Sequence, residues 1–322
     1  MSGRWKQARR LLCVRLDEVG NVLLSTPAIR AFRDSIDGCR ITLLSLPSGA
    51  AAGRLVSEID DVLEYSSDET TLVSRLAERD FHAAAIFTQP SQSPVAAAQL
   101  CARAGIRLRL AHCRDSAHGA LTDWLPEPGS RVRHEVRRHL DLAASVGCVT
   151  TDVRLSFAVP PGVRRRMRAA LRPFGSPLVV VHPGTTAGIR RYPPASLALA
   201  VDLLTEDTGC EALIVGAAED IPLVRAVRDA MRQPSRELTG LSLAEFGAVV
   251  AEADVLVSNE SGPAHIAAAL GTPVVDVYAL ANPQYTPWQV RSRVLYDVYD
   301  EQRRVPPEKV AEAARALLET GA

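Results

Sequence analysis

Three short segments carry the residues best suited to handle an anion and a proton. The first, Arg15 to Pro27 (RLDEVGNVLLSTP), sets Asp17, Glu18 and Asn21 just after an apolar run. Either carboxylate would take a proton from a hydroxyl held within hydrogen-bond reach. Asp and Asn are equally favoured as helix caps, so capping is the competing reading. The second, His182 to Pro194 (HPGTTAGIRRYPP), offers two glycines, the hydroxyls of Thr185 and Thr186, and Arg190 and Arg191. Gly184 and Gly188 permit close backbone approach, and arginine meets phosphate in a bidentate fork. A surface loop with solvated arginines would have the same composition. In the third, Val257 to Ile266 (VSNESGPAHI), Ser261 and Gly262 precede Pro263. Proline is favoured at the first helical position, so this is a helix start whose amides would cradle a pyrophosphate. His265 lies in the first turn, facing that phosphate or packing beneath it. Glu260 would repel phosphate, which assigns it to a sugar or ribose hydroxyl, or to a backbone amide.

Composition removes several alternatives. The 322 residues suggest about two domains, and 37 basic residues balance 37 acidic ones, so no basic excess marks a nucleic-acid binder. Lys6 and Lys309 are the only lysines, which excludes a P-loop and an internal Schiff base. The six cysteines include no C-x-x-C pair and read as buried apolar residues in a reducing compartment. No G-x-G-x-x-G and no G-x-S-x-G occurs. His134 and His139 are five apart and share no helical face, so no metal site is expected. The run Arg131–Arg138 reads as a solvated face or as a contact for an acceptor phosphate. At the N-terminus Arg4, Lys6, Arg9 and Arg10 precede the apolar run Leu11–Val14, which stops at Arg15. That is too short for an export signal or a membrane span, so a cytoplasmic protein is expected, with at most peripheral membrane contact.

These segments must be held by an α/β scaffold. Strands are predicted over Arg10–Leu16, Arg40–Leu46, Asp61–Tyr65, Phe81–Thr88 and Ile106–Leu110, then over Leu178–His182, Ala212–Gly216, Glu237–Thr239, Asp254–Ser258 and Val274–Tyr278. Helical patterns alternate with them, near 21–35, 68–79, 91–104 and 134–147, and again near 194–207, 219–232, 242–252 and 262–270. Apolar runs of this kind are those of parallel strands buried on both faces, which predicts two doubly wound parallel-sheet domains. Pro160, Pro161, Pro173, Gly175 and Pro177 bracket an Arg-rich helix near 162–171, which reads as a hinge. An amphipathic helix is predicted over Pro306–Thr320. All three chemical segments follow strands, where open α/β sheets bind ligands.

Taken in order, RLDEVGNVLLSTPAIRAFR, HPGTTAGIRRYPP, VGAAED, GLSLAEFGAVVAEADVLVSNESGPAHIAAALGTPVV and NPQYTPW resemble the glycosyltransferase family that contains the ADP-heptose:lipopolysaccharide heptosyltransferases, family 9. The resemblance implies a GT-B fold, two Rossmann-like domains facing across a cleft. It implies an acceptor-side domain over 1–160, a hinge over 161–177 and a nucleotide-sugar donor domain over 178–300. Residues 301–322 would form a helix packing back toward the first domain. The implied activity is inverting, metal-independent transfer of a sugar, with heptose from ADP-heptose favoured, to a hydroxyl of a glycan, lipid-linked or small-molecule acceptor. No cofactor is expected, since the nucleoside-diphosphate sugar is a substrate. Donor contacts would fall on His182, Gly184, Thr185, Thr186, Arg190, Arg191, Glu260, Ser261, Gly262, Pro263 and His265, with Glu219 on the ribose. Family members usually have Gly-Asp where this chain has Gly20-Asn21, and that Asp is their proposed base. They usually have Lys-Arg-Trp-Pro at Arg190–Pro193 and Asn-Asp-Ser-Gly at Asn259–Gly262; both of these changes keep the charge type. An amide at position 21 has no useful basicity. Asp17 is therefore the expected substitute base, ahead of Glu18, with Asn21 orienting the acceptor through its amide or capping the helix; the competing reading is that Asp17 only pairs with Arg15 or a loop amide. The alternatives are a nucleotide-sugar binder without catalysis, or a GT-B-fold epimerase or hydrolase.

Overall fold

The computed structural model describes residues 2–114, 119–127, 133–172, 177–185, 191–278, 282–296 and 305–320. The chain divides into two compact units, Met1–Ala158 and Val159–Ala322. The first is built on β1 (Arg10–Arg15), β2 (Arg40–Ser45), β3 (Asp61–Glu64), β4 (Ala83–Ile86), β5 (Leu108–Cys113) and β6 (Asp123–Pro126). They form one sheet in the order β3-β2-β1-β4-β5-β6, with every pairing parallel. The second contains β7 (Leu178–His182), β8 (Glu211–Gly216), β9 (Ser235–Thr239), β10 (Val255–Asn259), β11 (Val274–Val277) and β12 (Ser292–Leu295). Its order, β12-β11-β10-β7-β8-β9, repeats the first sheet's pattern, again all parallel. This is the doubly wound Rossmann order, and it reverses between β1 and β4 and between β7 and β10. Loops leaving those central strands turn to opposite faces and leave a crevice at each carboxyl edge.

The helices that matter for the sites are α2 (Val19–Ser35), entered directly from β1, and α6 (Glu135–Ser145), packed along α2. In the second unit they are α8 (Pro194–Thr208), α10 (Leu243–Val250) and α11 (Gly262–Leu270). Inner strands bury both faces: Leu11, Leu12, Cys13 and Val14 of β1 are all sealed from solvent. Burying each such side chain contributes about 1.5–3 kcal/mol. Side chains alternate across a strand, so Val179, Val181, Val255, Val257, Val275 and Val277 share one core face with α8. His182, Ser258 and Asp276 stand opposite one another in neighbouring strands, on the other face.

The Arg-rich helix (Pro161–Leu171) is not a free hinge: it packs on α10, with Met167 and Leu171 buried. Its Arg164 and Arg168 pair with Glu252, and Arg166 pairs with Glu245. The C-terminal helix (Pro307–Glu319) packs on α8, and its Val310, Ala311, Ala313, Ala314 and Leu317 belong to the second unit's core. The first helical turn (Ser2–Trp5) is fastened to β6: Arg4 pairs with Asp123, and the buried Trp5 donates its Nε1 hydrogen to the same carboxylate at 3.2 Å. All six cysteines are free and buried, and burial pushes the Cys101 thiol up to about 12. No helix among the described residues is long and apolar enough to cross a membrane.

Candidate functional site

In the first unit the loop after β1 brings Asp17 over the β1/β4 crevice. Its carboxylate is 8% exposed and held by three donors. Oδ1 accepts from the Glu18 amide at 3.0 Å and from Asn21 Nδ2 at 2.8 Å, which fills that oxygen. Oδ2 accepts from Gln89 Nε2 at 2.9 Å, across the crevice from the loop after β4. Among the described residues Gln89 is the one hydrogen-bond donor to Oδ2, and a carboxylate oxygen has two lone pairs, with Arg15 Nη2 3.6 Å away. Glu18 is exposed and makes no side-chain cap to α2. The loop also needs the glycine at 49. A Cβ there would stand 2.2 Å from Ser45 Oγ and 2.4 Å from the Asp17 carbonyl oxygen.

Beneath Asp17 lies an ionic cluster that the sequence did not disclose. Arg15, Glu135, Arg138 and His139 are each at most 1% exposed. Arg15 Nη2 lies 3.6 Å from Asp17 Oδ2 and 3.6 Å from Glu135 Oε1. Arg138 grips Glu127 with two hydrogen bonds, at 2.6 and 2.7 Å, and donates a third to the Thr88 carbonyl. Its Nη1 is 3.2 Å from Glu135. Burial opposes the charge on Glu135, but His139, Arg138 and Arg15 outweigh it and hold the carboxyl at about 2. Burial pushes His139 down to about 4, so its ring is neutral at pH 7. The reading of Arg131–Arg138 as a solvated face or phosphate contact therefore fails at Arg138; Arg131 lies outside the described residues. A cavity of about 190 Å³ adjoins the cluster, lined by Ser91, Gln92, Ser93, His112, Arg114 and Glu127 among others. A larger one, about 510 Å³, sits at the amino ends of the strands, where Arg10 and Arg79 are already paired with Asp80 and Asp61. Open α/β sheets bind at the opposite edge, so we discount it as the reactive centre.

In the second unit Asn259, at the end of β10, assembles the site. Its Oδ1 accepts from the Tyr192 amide at 2.8 Å, and its Nδ2 donates to the Pro183 carbonyl at 2.8 Å. One side chain thus joins both arms of the loop after β7 to the start of α11. Ser261 turns its hydroxyl to the Asn259 carbonyl at 2.9 Å and does not cap the helix. The first-turn amides of α11, with Pro263 at the first positions, are left uncapped by a side chain. Arg191 is half-buried, and its Nε makes no hydrogen bond to a described residue. Gly184 lies against Asp220, where a Cβ would meet Oδ1 at 2.3 Å and His182 Cε1 at 2.9 Å. His182 lies edge-on to Phe246, 5.4 Å between ring centres, with Nε2 3.5 Å from Asp220. That imidazole holds the Asp220 carboxyl below its ordinary range.

The structure brings together His182, Gly184, Arg191, Ser261, Gly262 and Pro263 from the expected set. Thr185 follows Gly184 on the same loop and is half-buried, and Glu260 and His265 flank the start of α11. Thr186 and Arg190 lie outside the described residues. Glu219 is exposed; its neighbour Asp220, on the 3₁₀ turn Ala218–Asp220, is the carboxylate that reaches His182. Asn259 and Asp220 were both missed, although both lie inside the quoted motifs. Asp276, on β11, is fully buried, and neither of its oxygens has a hydrogen-bond partner among the described residues. Burial first, and Glu260 second, push its pKa well up. Among the described residues no group of three or more His, Cys, Asp or Glu side chains is placed to hold a metal ion.

A family model described as glycosyltransferase family 9 (heptosyltransferase) matches residues 72–312. Lipooligosaccharide heptosyltransferase 2 of Haemophilus influenzae is 32% identical over 117 residues, 34% of this chain and 34% of that protein, so the chain spans about a third of its length. The crystal structure of a family 9 glycosyl transferase from Veillonella parvula DSM 2008 superposes with a TM-score of 0.84 at 18% identity, covering 98% of each chain. E. coli ADP-heptose lps heptosyltransferase II superposes at 0.81 and 21% identity, covering 97% of this chain and 99% of that one. The superpositions establish the shared GT-B fold, and the match of the family model over most of the sequence establishes that the chain belongs to glycosyltransferase family 9.

Proposed function

We propose that this chain transfers a sugar from a nucleoside-diphosphate donor to a hydroxyl acceptor, with inversion and without a metal ion, and that the donor is ADP-heptose. One observation carries the reading. Asn259 gathers the His182–Gly184 arm, Arg191 and an uncapped helix start at one strand end. A helix start that no side chain caps and a cation in one crevice suit a diphosphate. The choice of ADP-heptose draws on the family and on the donor named for the E. coli relative. Lipopolysaccharide or a related glycolipid is the proposed acceptor, by the same likeness. Work on the donor side would occupy a cytoplasmic enzyme.

In the reaction, the acceptor hydroxyl attacks the anomeric carbon from the face opposite the diphosphate. The carbon–oxygen bond to the diphosphate breaks, and ADP leaves with the electron pair. The hydroxyl proton passes to Asp17 Oδ2, whose one hydrogen-bond donor among the described residues is Gln89. Asn21 fixes Asp17 through Oδ1. Charge developing on the leaving diphosphate meets the α11 amides and Arg191, preorganised partners of the kind that lower such barriers most. Arg190 and Thr186 extend this set on sequence grounds.

The test is donor turnover with ADP-heptose, with and without a panel of glycolipid acceptors, in the presence of a chelator. Transfer that requires an acceptor, survives chelation and falls about 10²–10⁴-fold in Asp17→Asn at unchanged donor affinity is the expected result. Hydrolysis without acceptor, or transfer restored only by a divalent ion, would refute it.

A further inference from the structure

We infer that Tyr192 is a positioning residue for Arg191: it fixes the backbone from which that guanidinium reaches the donor, by tying the loop after β7 to the start of the C-terminal helix. The inference rests on the reading of this crevice as the diphosphate site. Two hydrogen bonds hold Tyr192 from different elements. Its amide donates to Asn259 Oδ1, at the end of β10, at 2.8 Å. Its hydroxyl donates to the carbonyl of Val305, just ahead of the helix cap Pro306, at 2.6 Å. The side chain between them is 1% exposed and lies in the same core as Val305, Val310 and Ala314. Burial pushes the hydroxyl up to about 12, so it keeps its proton and donates across the working pH range.

The consequence falls on Arg191. The Tyr192 amide belongs to the planar peptide unit that also carries the Arg191 Cα, so holding that amide holds the root of the Arg191 side chain. On the other side, Pro193 and Pro194 open α8, and a residue before proline is confined to extended backbone. Tyr192 is therefore fixed by β10, by α8 and by the C-terminal segment at once. Arg191 itself is half-buried, and its Nε makes no hydrogen bond to a described residue. A long side chain so placed is aimed chiefly by its backbone, and a displacement of 1 Å in a binding constellation can cost about 10²-fold. A hydroxyl in an apolar core is costly to bury unless it is bonded. The Val305 carbonyl supplies that bond, and with it an anchor that a phenylalanine of the same shape would lack. Docking of the C-terminal helix and presentation of Arg191 are thereby linked through one side chain.

Tyr192→Phe removes the hydroxyl and leaves the ring. ADP binding is measured by calorimetry, on protein shown to be folded by near-ultraviolet circular dichroism, for the wild type, Tyr192→Phe, Arg191→Ala and the double variant. Tyr192→Phe should weaken ADP binding by roughly 5–10-fold, the size of one hydrogen bond. In the Arg191→Ala background the same change should cost less than about twofold, because residues that act through one another are not additive. A merely structural hydroxyl would lower the urea midpoint and leave the ADP affinity of the folded protein alone. That result, or an equal loss in both backgrounds, overturns the inference. Wild-type ADP affinity in Arg191→Ala would instead overturn the reading of Arg191 as a donor contact. If Tyr192→Phe does not fold, hydrogen exchange in the wild type carries the test. Saturating ADP should slow the Tyr192 amide and the Lys309 and Val310 amides, which bond the Pro306 carbonyl at the start of the C-terminal helix, more than the amides of that helix's last turn. Equal slowing at both ends of the helix, or none, overturns the link.

Discussion

Asp276 sets up a pH dependence that one substitution should erase. Its carboxyl is fully buried between Ser258 and Val294 in the second sheet, and no hydrogen bond within standard distance reaches either oxygen among the described residues. The Tyr278 hydroxyl, which donates to the Tyr285 carbonyl at 2.7 Å, works against the rise in the Asp276 pKa. Burial and then Glu260 raise its pKa far above that of an exposed carboxylate. In the unfolded chain the same group ionises above about pH 4. A group whose folded pKa is raised contributes fully below the unfolded value, and its contribution is lost as pH climbs toward the folded one. Between those two values each pH unit costs about 1.4 kcal/mol of stability. Asp276→Asn keeps the shape and removes the titration. Urea unfolding of both proteins from pH 5 to pH 8 measures the difference, and comparing the two cancels every other titrating group. The variant should gain on the wild type as pH rises, by up to about 1.4 kcal/mol per unit until the folded pKa is passed. A difference that stays constant with pH would show that Asp276 is ionised in the folded protein or reached by water, and the reasoning would fail.

Three further outcomes follow from named contacts. Arg191→Ala should weaken ADP-heptose binding by roughly 30-fold, about 2 kcal/mol, read by calorimetry; unchanged affinity would remove Arg191 from the donor site. Gly184→Ala forces a methyl to 2.3 Å from Asp220 Oδ1, so it should cost about 1–3 kcal/mol of stability and most of the donor affinity. A variant with the wild-type melting temperature and donor affinity would mean that Asp220 moves aside freely. Leu317→Ala opens the second unit's core and should destabilise the protein by about 2–5 kcal/mol in urea. A loss under about 0.5 kcal/mol would mean that the C-terminal helix is not part of that core.

Inner strands could be read from the amino acids almost to the residue. β1 and β7 are apolar runs because parallel strands covered on both faces have no polar side to show. The edge strands β6 (DWLP) and β12 (SRVL) went unread: each has four residues, is only partly buried, and carries no long apolar run. β5 was placed too early, since His112 and Cys113 do not advertise a buried strand end, though both are sealed. The three chemical segments were legible because glycine, proline and hydroxyl residues mark strand-to-helix turns by local geometry alone. Asp220 was not, because the register of one 3₁₀ turn decides whether it or Glu219 turns inward. The cluster of Arg15 and Glu135 was invisible for another reason. Each residue alone reads as a surface charge, and only their meeting across 120 positions of chain lets both be buried.

The placement of the C-terminal helix bears on how the chain is made. All six strands of the first sheet lie before Ala158, so that unit can close as soon as its own residues are out. The second unit cannot, because Val310, Ala314 and Leu317 complete the core under its central valines. At about 5–20 residues per second, roughly 8–30 seconds separate the two events during synthesis. Through that interval a finished first unit is tethered to a half-built partner whose valine-rich strands lack part of their cover. The nascent chain is therefore most exposed to chaperones, proteases and self-association over its second half, and shortening the protein ahead of Val305 would make that passing state permanent.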